Sequence, residues 1–143
     1  MAAPTLDLTA SAVDLTRQLL DIPSVSDDEG PLADAIEAAL QDAPHLEVTR
    51  VGDTVVARTD LGRDRRVVIA GHIDTVPING NVPSRFESLG GVEYLWGRGA
   101  VDMKAGVAVQ LLLAVQLAEP AVDVTWIWYD HEEVAEELNG LRR

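Results

Sequence analysis

The chain has 143 residues, 47% of them hydrophobic, with 24 acidic against 11 basic side chains, a formal net charge of −13 and no cysteine. That length and apolar content suit one domain with its own core and exclude a disordered tail. The acidic excess argues against binding to nucleic acid or to an anionic membrane, and the lack of cysteine excludes disulfides and thiolate-held metals, leaving His, Asp and Glu as ligands.

Met1 to Ala10 has neither a basic n-region nor a continuous apolar h-region, and no apolar run is long enough to span a bilayer, so a cytoplasmic protein is expected. Thr9 or Ser11 can cap a first helix whose Val13, Leu15, Leu19 and Leu20 lie roughly on one side, and Ile22-Pro23 stops it. Asp27, Asp28 and Glu29 read as the start of a second helix rather than a metal site, with Pro31 in its first turn and Leu32, Ile36, Ala39 and Leu40 as its apolar face. From Leu46 the period changes to that of two antiparallel edge strands flanking the Gly52-Asp53 turn. Gly62 to Arg66 is a charged, solvated loop leading into the central strand.

That strand is Val67-Val-Ile-Ala70, an unbroken apolar run suited to burial on both faces of a parallel sheet. It ends at Gly71, and His72 and Asp74 follow one residue apart, on one side of extended backbone. Asn79 to Ser84 marks a long loop and Val92 to Trp96 a short strand. Gly97-Arg98-Gly99 has Asp102 where a dinucleotide fingerprint needs its third glycine, which excludes that fingerprint. From Met103 to Glu119 the apolar positions Val107, Val109, Leu111, Leu112, Leu113, Val115 and Leu117 nearly encircle the axis, the pattern of a buried helix. Val122 to Tyr129 is a further strand, with Trp126 and Trp128 read as core, and His131-Glu132-Glu133 follows it.

Strand, helix and strand from Val67 to Tyr129 predict a right-handed βαβ crossover, so three polar clusters converge at the carboxyl ends of parallel strands. The fold class expected is α/β, a mixed and mainly parallel sheet flanked by helices. Taken singly, a histidine or a pair of glutamates is ordinarily just surface; their joint placement after three sheet elements points to a divalent-metal site. Adjacent glutamates can divide labour, one binding metal while its neighbour takes a proton from water, and Asp74 suits the partner that fixes a ligand imidazole's tautomer.

Gly71-His-Ile-Asp-Thr-Val-Pro77, Gly97-Arg-Gly-Ala-Val-Asp-Met-Lys104 and Glu132-Glu133 resemble the motifs of the M20 family of co-catalytic zinc peptidases and deacylases. Within it the whole chain is most similar to the desuccinylases acting on N-succinyl-LL-2,6-diaminopimelate, including at Asp21-Ile-Pro-Ser24, Asn81-Val-Pro-Ser-Arg85 and Leu138-Asn-Gly140. The resemblance implies two divalent metal ions, zinc with cobalt as an alternative. His72 would bind one ion, Asp102 would bridge both, Glu133 would bind the other, Glu132 would be the general base, and Asp74 would orient His72. It implies a strained Asp102-Met103 peptide, the cis form being frequent in the family. It also implies hydrolysis of the succinyl amide to succinate and LL-diaminopimelate, for lysine and cell-wall synthesis, with a small N-acyl amino acid as substrate and a homodimeric full-length protein.

Family members are much longer, with an inserted lid or dimerisation domain and further ligands beyond it. Residues 1–143 are therefore expected to be the amino-terminal part of the catalytic domain, without the lid, nearly inactive alone, and with an uncovered sheet edge. His45 lies in an early loop and His131 reads as a rim residue, so neither is expected to replace a missing ligand. Another amidohydrolase of the same family, such as an acetylornithine deacetylase, an aminoacylase or a carboxypeptidase, would share these motifs. A vestigial fragment serving as an interaction module is the non-enzyme alternative.

Overall fold

The computed structural model describes residues 4–143; residues 1–3, where the segment read for a secretory signal begins, lie outside the described residues. Helix α1 runs from Ala12 to Leu20, and Ser11 caps it, its hydroxyl oxygen accepting the Asp14 N–H at 3.1 Å. Leu15, Leu19 and Leu20 are buried as expected, but Val13 is exposed because the sheet and helices meet α1 from the leucine side only. Helix α2 (Gly30–Leu40) has Pro31 in its first turn and buries Leu32, Ile36 and Leu40.

Strands β1 (Glu47–Val51) and β2 (Thr54–Arg58) form the expected hairpin, with Gly52 at φ +60° in the turn. Strand β3 (Arg66–His72) and strand β6 (Asp123–Tyr129) are the other members of a four-stranded sheet of order β1-β2-β6-β3. It is a mixed sheet as expected, but not mainly parallel among the described residues, since the β1–β2 hairpin continues it: β6 pairs parallel with β3 and antiparallel with β2, and β1 pairs antiparallel with β2. Between β3 and β6 lie a separate antiparallel hairpin, β4 (Arg85–Leu89) and β5 (Val92–Trp96), and helix α3 (Ala105–Gln116). The sequence reading placed β5 but left β4 in a loop, since Arg85–Leu89 has neither burial nor alternation to announce it.

One face of the sheet carries the core. Val55, Ala57, Val124, Trp126 and Trp128 are buried there against Leu32, Ile36, Val107 and Leu111 from the helices. The expectation that Val67 to Ala70 is buried on both faces is corrected: Val67 is 44% and Val68 59% exposed. The cause is position, since among the described residues β3 pairs only with β6 and its outer edge is free. Helix α3 likewise buries Val107, Ala108, Leu111 and Ala114 but leaves Val109 and Leu113 exposed, so it is not enclosed all round. Its apolar pattern exceeds what the described neighbours cover. No helix among the described residues is long and apolar enough to cross a membrane.

Candidate metal centre

Parallel pairing sets the site. The β3–β6 register places His72 beside Tyr129, so residues following both strands emerge at the same end of the sheet. Segment 72–75 is held between two neighbours: Ile73 N–H donates to the Tyr129 carbonyl at 2.9 Å, and Thr75 N–H donates to the Ser24 carbonyl at 2.9 Å. Backbone hydrogen bonding thus fixes His72 and Asp74 before any side-chain contact is counted.

The ligand atoms of His72, Glu132 and Glu133 lie within 4.8 Å of one another. Asp102 joins them from the turn before α3, with its Oδ1 at 2.8 Å from His72 Nε2. Gly99 at φ +82° shapes that turn, and the Asp102-Met103 peptide is cis, as the resemblance implies. Lys104 secures the turn from below: buried, its Nζ donates to the carbonyls of Leu19 at 3.0 Å and Ile22 at 2.8 Å, and burial lowers its pKa to about 8. The sequence reading quoted Lys104 within a motif and gave it no role.

On its other side the His72 ring is fixed by Asp74. His72 Nδ1 is 3.0 Å from the Asp74 carbonyl oxygen and 3.4 Å from its carboxylate. Donation from Nδ1 to that carbonyl leaves Nε2 as the nitrogen available to a metal. The Asp74 carboxylate, itself buried, also accepts the Ser26 hydroxyl at 2.7 Å and the backbone N–H groups of Glu132 and Glu133, each at 3.0 Å. One carboxylate therefore ties the imidazole and the glutamate pair together. Ser26 escaped the sequence reading because it meets Asp74 from 48 residues away, with no local pattern to mark it.

The electrostatics follow from this packing. Burial opposes charge on Asp74, but His72, Ser26 and the two amides outweigh it and hold the carboxyl well below the usual range. Burial likewise opposes charge on His72, yet the hydrogen bonds its ring donates to Asp74 and Asp102 raise its pKa to about 9. Glu133 is pushed up, first by burial and, against the attraction of His72, by the negative charges of Asp102, Glu132 and Asp74. A surplus of carboxylate charge around one tautomer-fixed imidazole is a setting that a divalent cation relieves, and these nitrogen and oxygen donors fit zinc. A cleft of about 660 Å³ opens beside them, bordered by Asp102, Glu133, Arg98 and the Tyr94 to Trp96 segment of β5.

The two remaining histidines lie outside the cluster. His45 Nε2 meets the Ala114 carbonyl at 2.8 Å, and His131 Nε2 meets Asp27 Oδ1 at 3.0 Å. Neither belongs to the group of convergent ligand atoms.

Residues 68–143 match peptidase family M20/M25/M40. The chain is 50% identical over 139 residues to a protein of Mycobacterium tuberculosis named putative succinyl-diaminopimelate desuccinylase DapE, covering 96% of this chain and 38% of that protein. It is 50% identical over 143 residues to the succinyl-diaminopimelate desuccinylase of Corynebacterium glutamicum, with the same coverage of 96% and 38%. The chain thus spans a little over a third of these relatives. Among solved structures, the fold is similar to aminopeptidase PepT of Bacillus cereus (TM-score 0.70, 19% identity, 90% of this chain and 38% of that one). It is also similar to the YXEP protein of Bacillus subtilis, described as a dinuclear metal binding peptidase from the M20 family (TM-score 0.61, 22% identity, 87% of this chain and 36% of that one).

Proposed function

The chain belongs to peptidase family M20/M25/M40, and from that premise we propose that residues 4–143 form the amino-terminal part of the catalytic domain of a metal-dependent amide hydrolase. The substrate assigned is N-succinyl-LL-2,6-diaminopimelate, a small N-acylated amino acid, by likeness to relatives named as desuccinylases. His72 would hold one divalent ion and Glu133 a second, with the Asp102 carboxylate serving both. The bound ions, zinc in this reading, supply Lewis acidity toward the amide carbonyl and acidify the attacking water. Asp74 keeps the His72 ring in register through Nδ1 and sets the backbone of the glutamate pair. Glu132 takes the proton from the attacking water and delivers it to the leaving amine nitrogen as the C–N bond breaks, releasing succinate and LL-diaminopimelate. The full-length protein acts in the cytoplasm as a homodimer, with no role for nucleic acid or membrane.

The observation that carries this reading is the convergence of His72, Glu132 and Glu133 within 4.8 Å, with Asp102 on the same imidazole. One imidazole and two carboxylates leave two ions with open positions, so the chain by itself should turn over far more slowly than its longer relatives. The test is hydrolysis of succinyl-diaminopimelate by the purified chain with added zinc, beside the Mycobacterium tuberculosis relative and a Glu132→Ala control. Turnover equal to that relative overturns the partial-site reading, and preference for an N-acetyl substrate overturns the acyl assignment. Calorimetric zinc binding that disappears in His72→Ala and Asp102→Ala supports the ligand set; no binding by the parent chain makes the site vestigial.

A further inference from the structure

Glu29 stands at the start of α2, where the sequence gives it the ordinary work of a helix terminus. It does not do that work: the N-cap position makes no side-chain capping bond. Instead the side chain is fully buried and its Oε1 accepts the His131 backbone N–H at 3.3 Å, across 102 residues of chain. Its Oε2 is buried without a partner, so the burial is not explained by local satisfaction. His131 has φ +60°, a left-handed conformation that costs a non-glycine residue and persists only where neighbours enforce it. Its ring is held by Nε2 at 3.0 Å from Asp27, while Nδ1 lies 3.1 Å from Asp130 and 3.5 Å from Glu29 without a hydrogen bond among the described residues.

Set beside the Asp74 contacts, this gives three consecutive backbone N–H groups, of His131, Glu132 and Glu133, each received by a buried carboxylate oxygen: Glu29 Oε1, Asp74 Oδ1 and Asp74 Oδ2. The two bonds to the Asp74 carboxylate, which its partners hold ionised, are charge-assisted, whereas the Glu29 carboxyl, whose pKa burial raises, serves as a plain directional acceptor. After Glu133 the chain runs exposed from Val134 to Leu138 and is tied back only at Gly140, whose N–H donates to the Asp130 carbonyl at 2.9 Å, ahead of the three amides. We propose that Glu29 is a positioning residue for the glutamate pair, fixing the first amide of the turn while Asp74 fixes the next two. The proposal rests on the reading of Glu132 as base and Glu133 as ligand.

Two conservative variants separate reach from charge. Glu29→Asp keeps the charge and withdraws the oxygen by one methylene; Glu29→Gln keeps the reach and removes the charge. In the metal-free chain, Glu29→Asp should speed amide hydrogen exchange at His131, Glu132 and Glu133 about tenfold while Trp126 to Trp128 in β6 stay unchanged, a local opening rather than a global one. Glu29→Gln should remain within about threefold of the parent at all these amides, since its carbonyl still accepts the bond. Calorimetric zinc affinity should follow the same order, with about a tenfold loss for Glu29→Asp. Unchanged exchange at 131–133 in Glu29→Asp overturns the proposal, and so does an equal rise throughout β6, which would make Glu29 a general stabiliser. Equal damage from Glu29→Gln also overturns it, by assigning the effect to charge. Should the parent chain bind no zinc, the exchange data still decide for or against Glu29 while the metal reading falls separately.

Discussion

Two sides of one imidazole differ in almost every physical respect. On the Nδ1 side Asp74 is buried, its carboxylate receives a hydroxyl and two amides, and neighbouring backbone segments are bonded to it on both flanks. On the Nε2 side the Asp102 side chain is 74% exposed, and among the described residues its one side-chain hydrogen bond is with His72. The first side is built by the fold and stands complete without a ligand. The second faces the cleft, where the proposed cation and substrate would bind. A binding site can thus have one half that is a stability element and one half that is almost free of folding constraint.

The largest effect that would sharpen this contrast is expected at Asp74. Asp74→Ala leaves the imidazole, a hydroxyl and two amides without their buried partner, and should cost about 3–5 kcal/mol in denaturant unfolding. Zinc affinity should fall about 100-fold or more in the same protein. Asp102→Ala should separate the two properties: zinc affinity falls at least about tenfold, yet unfolding free energy stays within about 0.5 kcal/mol. Equal destabilisation by both substitutions would break the comparison.

A third expectation concerns pH. In the metal-free chain the folded state raises the His72 pKa to about 9 from an ordinary 6.5, so it favours the protonated ring. That contribution to stability is complete below 6.5 and is lost as pH rises through about 9. Imidazole NMR should show a midpoint near 9 for His72, lowered in Asp102→Asn, which removes one of the raising partners. A midpoint at the ordinary histidine value would mean that Asp74 and Asp102 do not act on one ring together. The smallest effect is expected at the free strand edge, far from the ligands. Val68→Lys, at a position 59% exposed, should change stability by less than about 0.5 kcal/mol while reducing concentration-dependent association in sedimentation velocity.

Much of this was legible beforehand where the signal is local. Ser11 caps α1, Gly52 makes the β1–β2 turn, and the alternation of Val124, Trp126 and Trp128 marks the buried face of β6. The convergence of His72, Asp102 and the glutamate pair was expected because each lies within one of the three motifs that follow sheet elements. Strand β4 was not legible, for its residues are held by hairpin pairing rather than by burial. The exposure of Val67 and Val68 was not legible either, since an apolar run reads alike in a central strand and at a free edge.

By itself the sequence determined which residue types end each strand, because hydrophobic period and turn chemistry act over a few neighbouring positions. Tertiary structure alone decided that Glu29 leaves its helix terminus for His131, that Ser26 and two amides share one carboxylate with His72, and which side of the imidazole is buried. Those outcomes depend on hydrogen bonds between groups tens of residues apart, satisfied only once the parallel β3–β6 pairing has brought their backbones together.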